Sequence, residues 1–360
     1  MIPPRRPLAP PGRDTTSVPR CVRCRSVARN SVYPLSFYGV IVYVRRSVTG
    51  VRTQAAAWAL LSLLTLSTAP ELPTMQERDP LPTVYASPIP PSHIAEAVSR
   101  AMADFPGEYS VALEDLLTGQ RWLHNADRLY HPASTVKVPV ALYALEQYRA
   151  GKIGWGDLIE YTEADVEPPL TGAFEAAEFG DLYPVQDLVH WALAYSDNVA
   201  VNMLGRRLGW GNIERWTETI GGRLTHEDRL PRASALSVLH WWRHLHVLSL
   251  EDPESASLIV RPLLAATYRG RITAGLPDGV PHMHKYGSYE GSYHDSAIVY
   301  ATRPYILVVL TEGAPLEEAD AAIARLSAEI YRVMTASHST PLVPVWSADA
   351  LQTFVGPRKE

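Results

Sequence analysis

Apolar positions change their spacing twice along this chain. After Gly279, the stretches HMHKYGS, SYHDSAIVYA and YILVVLTEG alternate or run apolar over short lengths, as strands of an antiparallel sheet do. From Ile153 to about Ala266 the spacing is mostly helical, in DLVHWALAYSDNVAVNMLGRRLG, GNIERWTETIG and SALSVLHWWRHLHVL. The Trp and His residues of these segments fall at core-facing helix positions, so they read as packing. Upstream, Ile94, Val98 and Met102 recur at i, i+4 and i+8 behind Ser92 as a helix cap. YSVALEDL (109–116) and RWLHN (121–125), joined by residues 117–120, predict a hairpin. A last helix runs roughly from Leu316 to Val333. This order predicts an α/β (α+β) domain: one antiparallel sheet made from both ends, flanked by helices, with an all-helical subdomain inserted between them.

Between hairpin and helical block lies HPASTVKVPVALYALEQYRAG, residues 131–151, which predicts one helix. Pro132 suits its first turn, and Gly151 supplies a left-handed residue to end it. Val140, Tyr143, Ala144 and Gln147 give one buried face, while Pro139 should kink the rod. Ser134 and Lys137 sit three apart at its front, stacked on one side. A serine hydroxyl needs a base to become a nucleophile, and a lysine can be that base once burial or another cation lowers its pKa. Unpaired N–H groups of a first helical turn can hold a developing oxyanion. S-x-x-K alone is a weak pattern.

Charge separates the front of the chain from the rest. Residues 1–54 carry ten arginines, no lysine and one acid, Asp14, whereas the remainder has a net charge of −14. We expect residues 1–54 to be a basic, disordered arm or sequence upstream of a misassigned start. Cys21 and Cys24 form a single C-x-x-C there, half of a zinc site at most. Residues 55–69 resemble a signal peptide: Arg45, Arg46 and Arg52 precede a twelve-residue apolar run, Ala55 to Leu66, followed by small residues up to Ala69. That run is too short to span a bilayer. Residues 70–91 form a linker with seven prolines, residues 92–336 the folded domain, and residues 337–360 an irregular tail.

Two further motifs follow. Tyr195-Ser196-Asp197-Asn198 stands between two helical stretches, where Ser, Asp and Asn most often cap or turn the backbone. Lys285-Tyr286-Gly287-Ser288 lies on an expected strand, where a glycine admits close approach of another backbone or a ligand. S-x-x-K, then S-D-N 62 residues after Ser134, then K-x-G 89 residues after Ser196: this ordered set resembles class A β-lactamases and the penicillin-binding serine enzymes. DLLTGQRWLHNADRLYHPASTVK is similar to that family's hairpin leading to the nucleophile, and KYGSYEGSYHDSAIVYATRPYILVVLTEG to its strand pair beside the active site. The resemblance covers about Pro91 to Ala336.

The resemblance implies a β-lactamase/transpeptidase-like fold and a catalytic set of Ser134, Lys137 and Ser196. Ser134 would be acylated, Lys137 would accept its proton, and Ser196 would relay it to the leaving nitrogen. Asn198 would bind the substrate's amide side chain, and Lys285, Tyr286, Gly287 and Ser288 would flank it. Lys285 would attract a substrate carboxylate, and the N–H groups of Ser134 and Ser288 would form an oxyanion hole. Tyr286 replaces the small hydroxyl residue usual before the glycine. After S-D-N, class A enzymes carry an E-x-x-x-N loop whose glutamate activates the deacylating water. The segment from Gly222 to Ala233 is short, lacks that pattern and has Glu227 as its only glutamate. Slow deacylation is therefore expected.

His282 and His284 point the same way on a strand, yet no third ligand stands at fixed spacing, so neither a metal nor an organic cofactor is expected. The acidic domain disfavours nucleic acid. The sequence thus predicts an exported, monomeric serine hydrolase acting on a small acyl compound such as a β-lactam. A carboxypeptidase- or esterase-like hydrolase and a penicillin-binding protein that acylates once are the rivals; turnover separates them.

Overall fold

The computed structural model describes residues 35–37, 40–42, 87–170, 172–227 and 230–336. The signal-peptide-like segment, the tail and nearly all of the arginine-rich front and the linker lie outside them. The chain divides into two units, 1–79 and 80–360. In the first, strands β1 (Leu35–Phe37) and β2 (Val40–Val42) pair antiparallel. All remaining described elements belong to the second.

That unit begins with helix α1 (Pro91–Met102) and strands β3 (Glu108–Asp115), β4 (Arg121–His124) and β5 (Leu129–Tyr130). A 3-10 turn (Ala133–Val136) leads into α2 (Lys137–Arg149), then β6 (Leu158–Glu160), β7 (Leu182–Pro184) and α3 (Val185–His190). After a π-helical turn (Trp191–Tyr195) come α4 (Asn198–Leu208), α5 (Trp210–Thr219), β8 (Thr225–Glu227) and β9 (Leu230–Ser234). Helices α6 (Ala235–Glu251) and α7 (Pro253–Leu264) precede β10 (His282–Tyr289), β11 (Ser292–Val299), β12 (Tyr305–Glu312) and α8 (Leu316–Ala336).

The main sheet runs β10-β11-β12-β3-β4, antiparallel throughout, so strands from both ends of the domain meet at β12–β3. Its strands read as continuous apolar runs because both faces are covered. Val111, Leu113, Leu307 and Val309 pack with α1 and α8, while Ala112, Ile306, Val308 and Leu310 pack with the helical block. The fold is the expected mixed one, with an antiparallel sheet and an inserted, mainly helical subdomain.

Four local readings change. The block 153–266 also holds two small sheets, β6-β7 and β5-β9-β8. Ser92 lies inside α1 and caps nothing; the helix starts at Pro91, which needs no amide partner there. The stretch 131–151 is not one kinked helix: the 3-10 turn ends before Lys137, and Pro139 falls in the first turn of α2, where its missing N–H has no helical partner to lose. Nor is one face of α2 buried. Val138, Val140, Ala141, Leu142, Ala144 and Leu145 are all inaccessible, whereas Tyr143 and Gln147 are half-buried. Its end is as expected: Gly151 takes a φ of 67°. Lys152 N–H donates to the Gln147 carbonyl at 2.9 Å and Gly151 N–H to Tyr148 at 2.9 Å, closing the helix.

Candidate active site

Strand β10 is an edge strand, and it lies against the 3-10 turn that carries Ser134. Gly287 makes that approach possible. A Cβ there would sit 2.9 Å from the Ser134 amide nitrogen and 2.9 Å from the Ala133 Cβ, closer than side chains tolerate. The turn is itself bent, with Ala133 at a φ of 47°, a conformation that non-glycine residues rarely adopt.

The tripeptide 196–198 serves as a cap and as a site at once. Asp197 caps α4, its carboxylate accepting from Ala200 N–H at 2.8 Å. Ser196, at a φ of 61°, ends the π-helical turn in the left-handed region, which turns its side chain and that of Asn198 towards Lys137.

Lys137 is the hub. Its Nζ stands 2.9 Å from Ser134 Oγ, 2.6 Å from Asn198 Oδ1 and 3.2 Å from Ser196 Oγ, and it also donates to the Ser196 carbonyl. Lys285 Nζ lies 2.9 Å from the same Ser196 hydroxyl, so that oxygen bridges the two lysines. Both are only 1 % exposed. Burial drives Lys137 down to about 8, against the opposing pull of Asp197 and Glu167. Burial and then the neighbouring Lys137 push Lys285 well below the ordinary lysine value. Neutral Lys137 would keep two N–H groups for Ser196 and Asn198 and turn its lone pair to the Ser134 hydroxyl, which is the arrangement a general base requires.

Tyr286 does not stand in for a small hydroxyl residue. Its ring stacks on Tyr268, centroids 4.1 Å apart, with Lys285 Nζ 4.3 Å from its own centroid. It lines the cleft together with Tyr195. Ser288 is gripped by Arg271, which sequence reasoning missed. Arg271 is buried and donates to Ser288 Oγ at 2.7 Å, to the carbonyls of Gly287 and His294 at 2.6 and 2.7 Å, and to Asp320 at 2.6 Å. The turn is held from the other side by His294, whose Nδ1 accepts from Thr311 N–H, leaving Nε2–H to donate to the His131 carbonyl at 2.8 Å. Burial drives that imidazole down to about 4, so it stays neutral.

His282 and His284 are spoken for: His282 by Thr273 Oγ1 and the Val280 carbonyl, His284 by Asp295 and the Tyr268 carbonyl. Among the described residues no cluster of three His, Cys, Asp or Glu side chains could hold a metal. No helix among them is long and apolar enough to cross a membrane.

Glu167 also lies in the site, and nothing in the motifs announced it. Its two oxygens accept from Asn198 Nδ2 at 3.0 Å and Asn202 Nδ2 at 3.1 Å. The signal that could have found it is the pair Asn198 and Asn202, four apart on one face of α4. Two adjoining cavities, about 400 and 230 Å³, share Ser134, Glu167, Asn198 and Ser288 in their walls.

Fold and site together define a protein of the β-lactamase and penicillin-binding type. Residues 93–334 match the model of the β-lactamase enzyme family, and the chain belongs to that family. A β-lactamase of Streptomyces cellulosae is 27% identical over 252 residues, 64% of this chain and 81% of that protein. One of Rhodobacter capsulatus is 28% identical over 151 residues, 41% of this chain and only half of that protein's length. Among solved structures, the β-lactamase of Sphaerobacter thermophilus matches with a TM-score of 0.62 at 23% identity, over 70% of this chain and all of that one. The L158E mutant of PBP-A, solved as an acyl-enzyme complex with penicillin G, matches at 0.63 and 15% identity, over 68% and 97%; these two share the fold.

Proposed function

We propose that the protein is a serine hydrolase that forms an acyl-enzyme on Ser134 with β-lactams or related small acyl compounds. The observation that carries this reading is the 2.9 Å approach of buried Lys137 Nζ to Ser134 Oγ, with Ser196 Oγ shared between Lys137 and Lys285. Lys137 takes the serine proton as Oγ attacks the acyl carbonyl. Ser196 passes a proton to the leaving nitrogen, and the backbone N–H groups of Ser134 and Ser288 hold the oxyanion. Lys285 keeps the cleft positive for a substrate carboxylate, and Asn198 meets the substrate's amide side chain.

Hydrolysis of the acyl-enzyme is the slow step. Among its described residues, the segment after S-D-N brings His226, Leu230 and Pro231 to the cleft, none of them a carboxylate. The chain acts as a monomer and is exported, its N-terminus removed near Ala69. Intact mass after mixing with benzylpenicillin, followed over time, tests the function: one equivalent should add to Ser134 and then leave. Absence of both adduct and product would sink the reading, and an adduct that never leaves would favour a penicillin-binding protein without turnover. N-terminal sequencing of the mature protein tests export.

A further inference from the structure

The slow step needs a base, and the structure offers a carboxylate from an unexpected place. Helix α4 presents Asn198, Asn202 and Arg206 at i, i+4 and i+8, hence along one stripe. All three grip the segment 160–167. Arg206 makes a two-point ion pair with buried Asp165, at 2.7 and 2.8 Å, and donates to the Glu160 carbonyl at 2.6 Å. Asn202 donates to the Asp165 carbonyl at 3.2 Å. Asp165 in turn accepts from Thr162 N–H at 2.9 Å and Thr162 Oγ1 at 2.8 Å. Burial alone would raise the Asp165 carboxyl, but hydrogen bonds from Arg206 and Thr162 outweigh it and hold the pKa below its ordinary value. The segment is therefore fastened two residues before Glu167.

Glu167 itself is exposed, yet both of its oxygens are held by amides of α4. Each carboxylate oxygen has a second lone-pair direction left. Through Asn198 the carboxylate is two hydrogen bonds from Lys137 Nζ, and Ser134 lines the same cleft. Glu167 and Ser134 thus border the same two adjoining cavities.

We infer that Glu167 is the general base of deacylation, placed by the segment before S-D-N rather than by the shortened one after it. The inference rests on the acyl-enzyme reading above. Glu167 takes a proton from water as the water oxygen attacks the ester carbonyl. The tetrahedral oxyanion collapses, the bond from carbon to Ser134 Oγ breaks, and Oγ takes a proton back. The products are a free acid and the serine hydroxyl, with one water consumed.

The test is single-turnover mass spectrometry of the full chain with benzylpenicillin, comparing wild type with E167Q and E227Q. Glutamine keeps the shape and one acceptor, so acylation by E167Q should stay within about threefold of wild type. Its adduct should decay ~10²-fold or more slowly, the lower range of what a general base contributes. Hydroxylamine, a nucleophile that needs no such base, should restore release in E167Q. E227Q should decay as wild type does. Equal decay in E167Q and wild type overturns the inference, as does a slowing confined to E227Q. Equal losses of acylation and deacylation would make Glu167 a positioning residue for Asn198 and also overturn it. If wild type neither labels nor turns over, the serine reading falls and this inference with it.

Discussion

The two sides of the cleft are built in different ways. On one side, Ser134, Lys137, Ser196 and Lys285 converge from a turn, a helix start, a helix junction and an edge strand, and both lysines are buried. On the other, Glu167 is a solvated side chain on a loop held by three residues of one helix. The first arrangement spends burial on making a base out of lysine, because desolvation is what brings an ammonium within reach of neutrality. A carboxylate is already in its basic form in water, so the second needs only orientation. On the proposed mechanism, forming the acyl bond depends on the core of the domain, and breaking it depends on a surface loop.

The sharpest way to break this comparison is at the nucleophile. Ser134→Ala should abolish labelling by benzylpenicillin while the circular dichroism spectrum is unchanged; labelling at the wild-type rate would remove Ser134 from the mechanism. Lys137→Ala should slow labelling by ~10²–10⁴-fold, the usual worth of a general base, and stopped-flow acylation rates measure it. Gly287→Ala comes next. A Cβ 2.9 Å from the Ser134 nitrogen must push β10 away from the turn, so acylation should fall roughly 10²-fold, the cost of losing one oxyanion donor. A normal rate in that variant would mean that the strand plays no part in the oxyanion hole.

Acidity separates the two sides by a smaller effect. On the proposed mechanism neutral Lys137 is the base, and burial holds this lysine to about 8. The neutral fraction grows as pH rises through that value, so acylation should climb between pH 7 and 9 and level off above. A profile flat from pH 6 to 10 would contradict the role. The smallest effect is expected for Asp197→Ala, which removes the cap of α4. It should cost about 1 kcal/mol of stability, read as a lower Tm, and change acylation far less than Lys137→Ala does.

The sequence made the first side legible and hid the second. S-x-x-K, S-D-N and K-x-G are local strings whose spacing fixes a resemblance, and five of their residues, Ser134, Lys137, Ser196, Asn198 and Lys285, are joined in one hydrogen-bonded chain through Lys137 and Ser196. The antiparallel sheet was legible through its short apolar runs, and the mixed architecture through element order. Glu167 was not, because its partners stand 31 and 35 residues away and no pattern encodes a loop's path. Arg271 was hidden for the same reason: two of its four acceptors are backbone carbonyls, which leave no mark in a sequence. The small sheets of the helical block were missed because two- to five-residue strands are too short to show a period. Pro139 misled because a 3-10 turn shifts the start of the α-helix to Lys137.

The bond from Arg271 to Asp320 has a consequence for the order in which the chain is made. Ser134 leaves the ribosome early, together with Lys137. The strand that must flank it comes roughly 150 residues later, and the brace behind that strand sits on α8 and is synthesised later still. A domain generally folds as a unit, once enough of it has been synthesised. With Ser134 as the proposed nucleophile, a growing chain displays the serine long before it can use it, and reactivity would arrive only with α8.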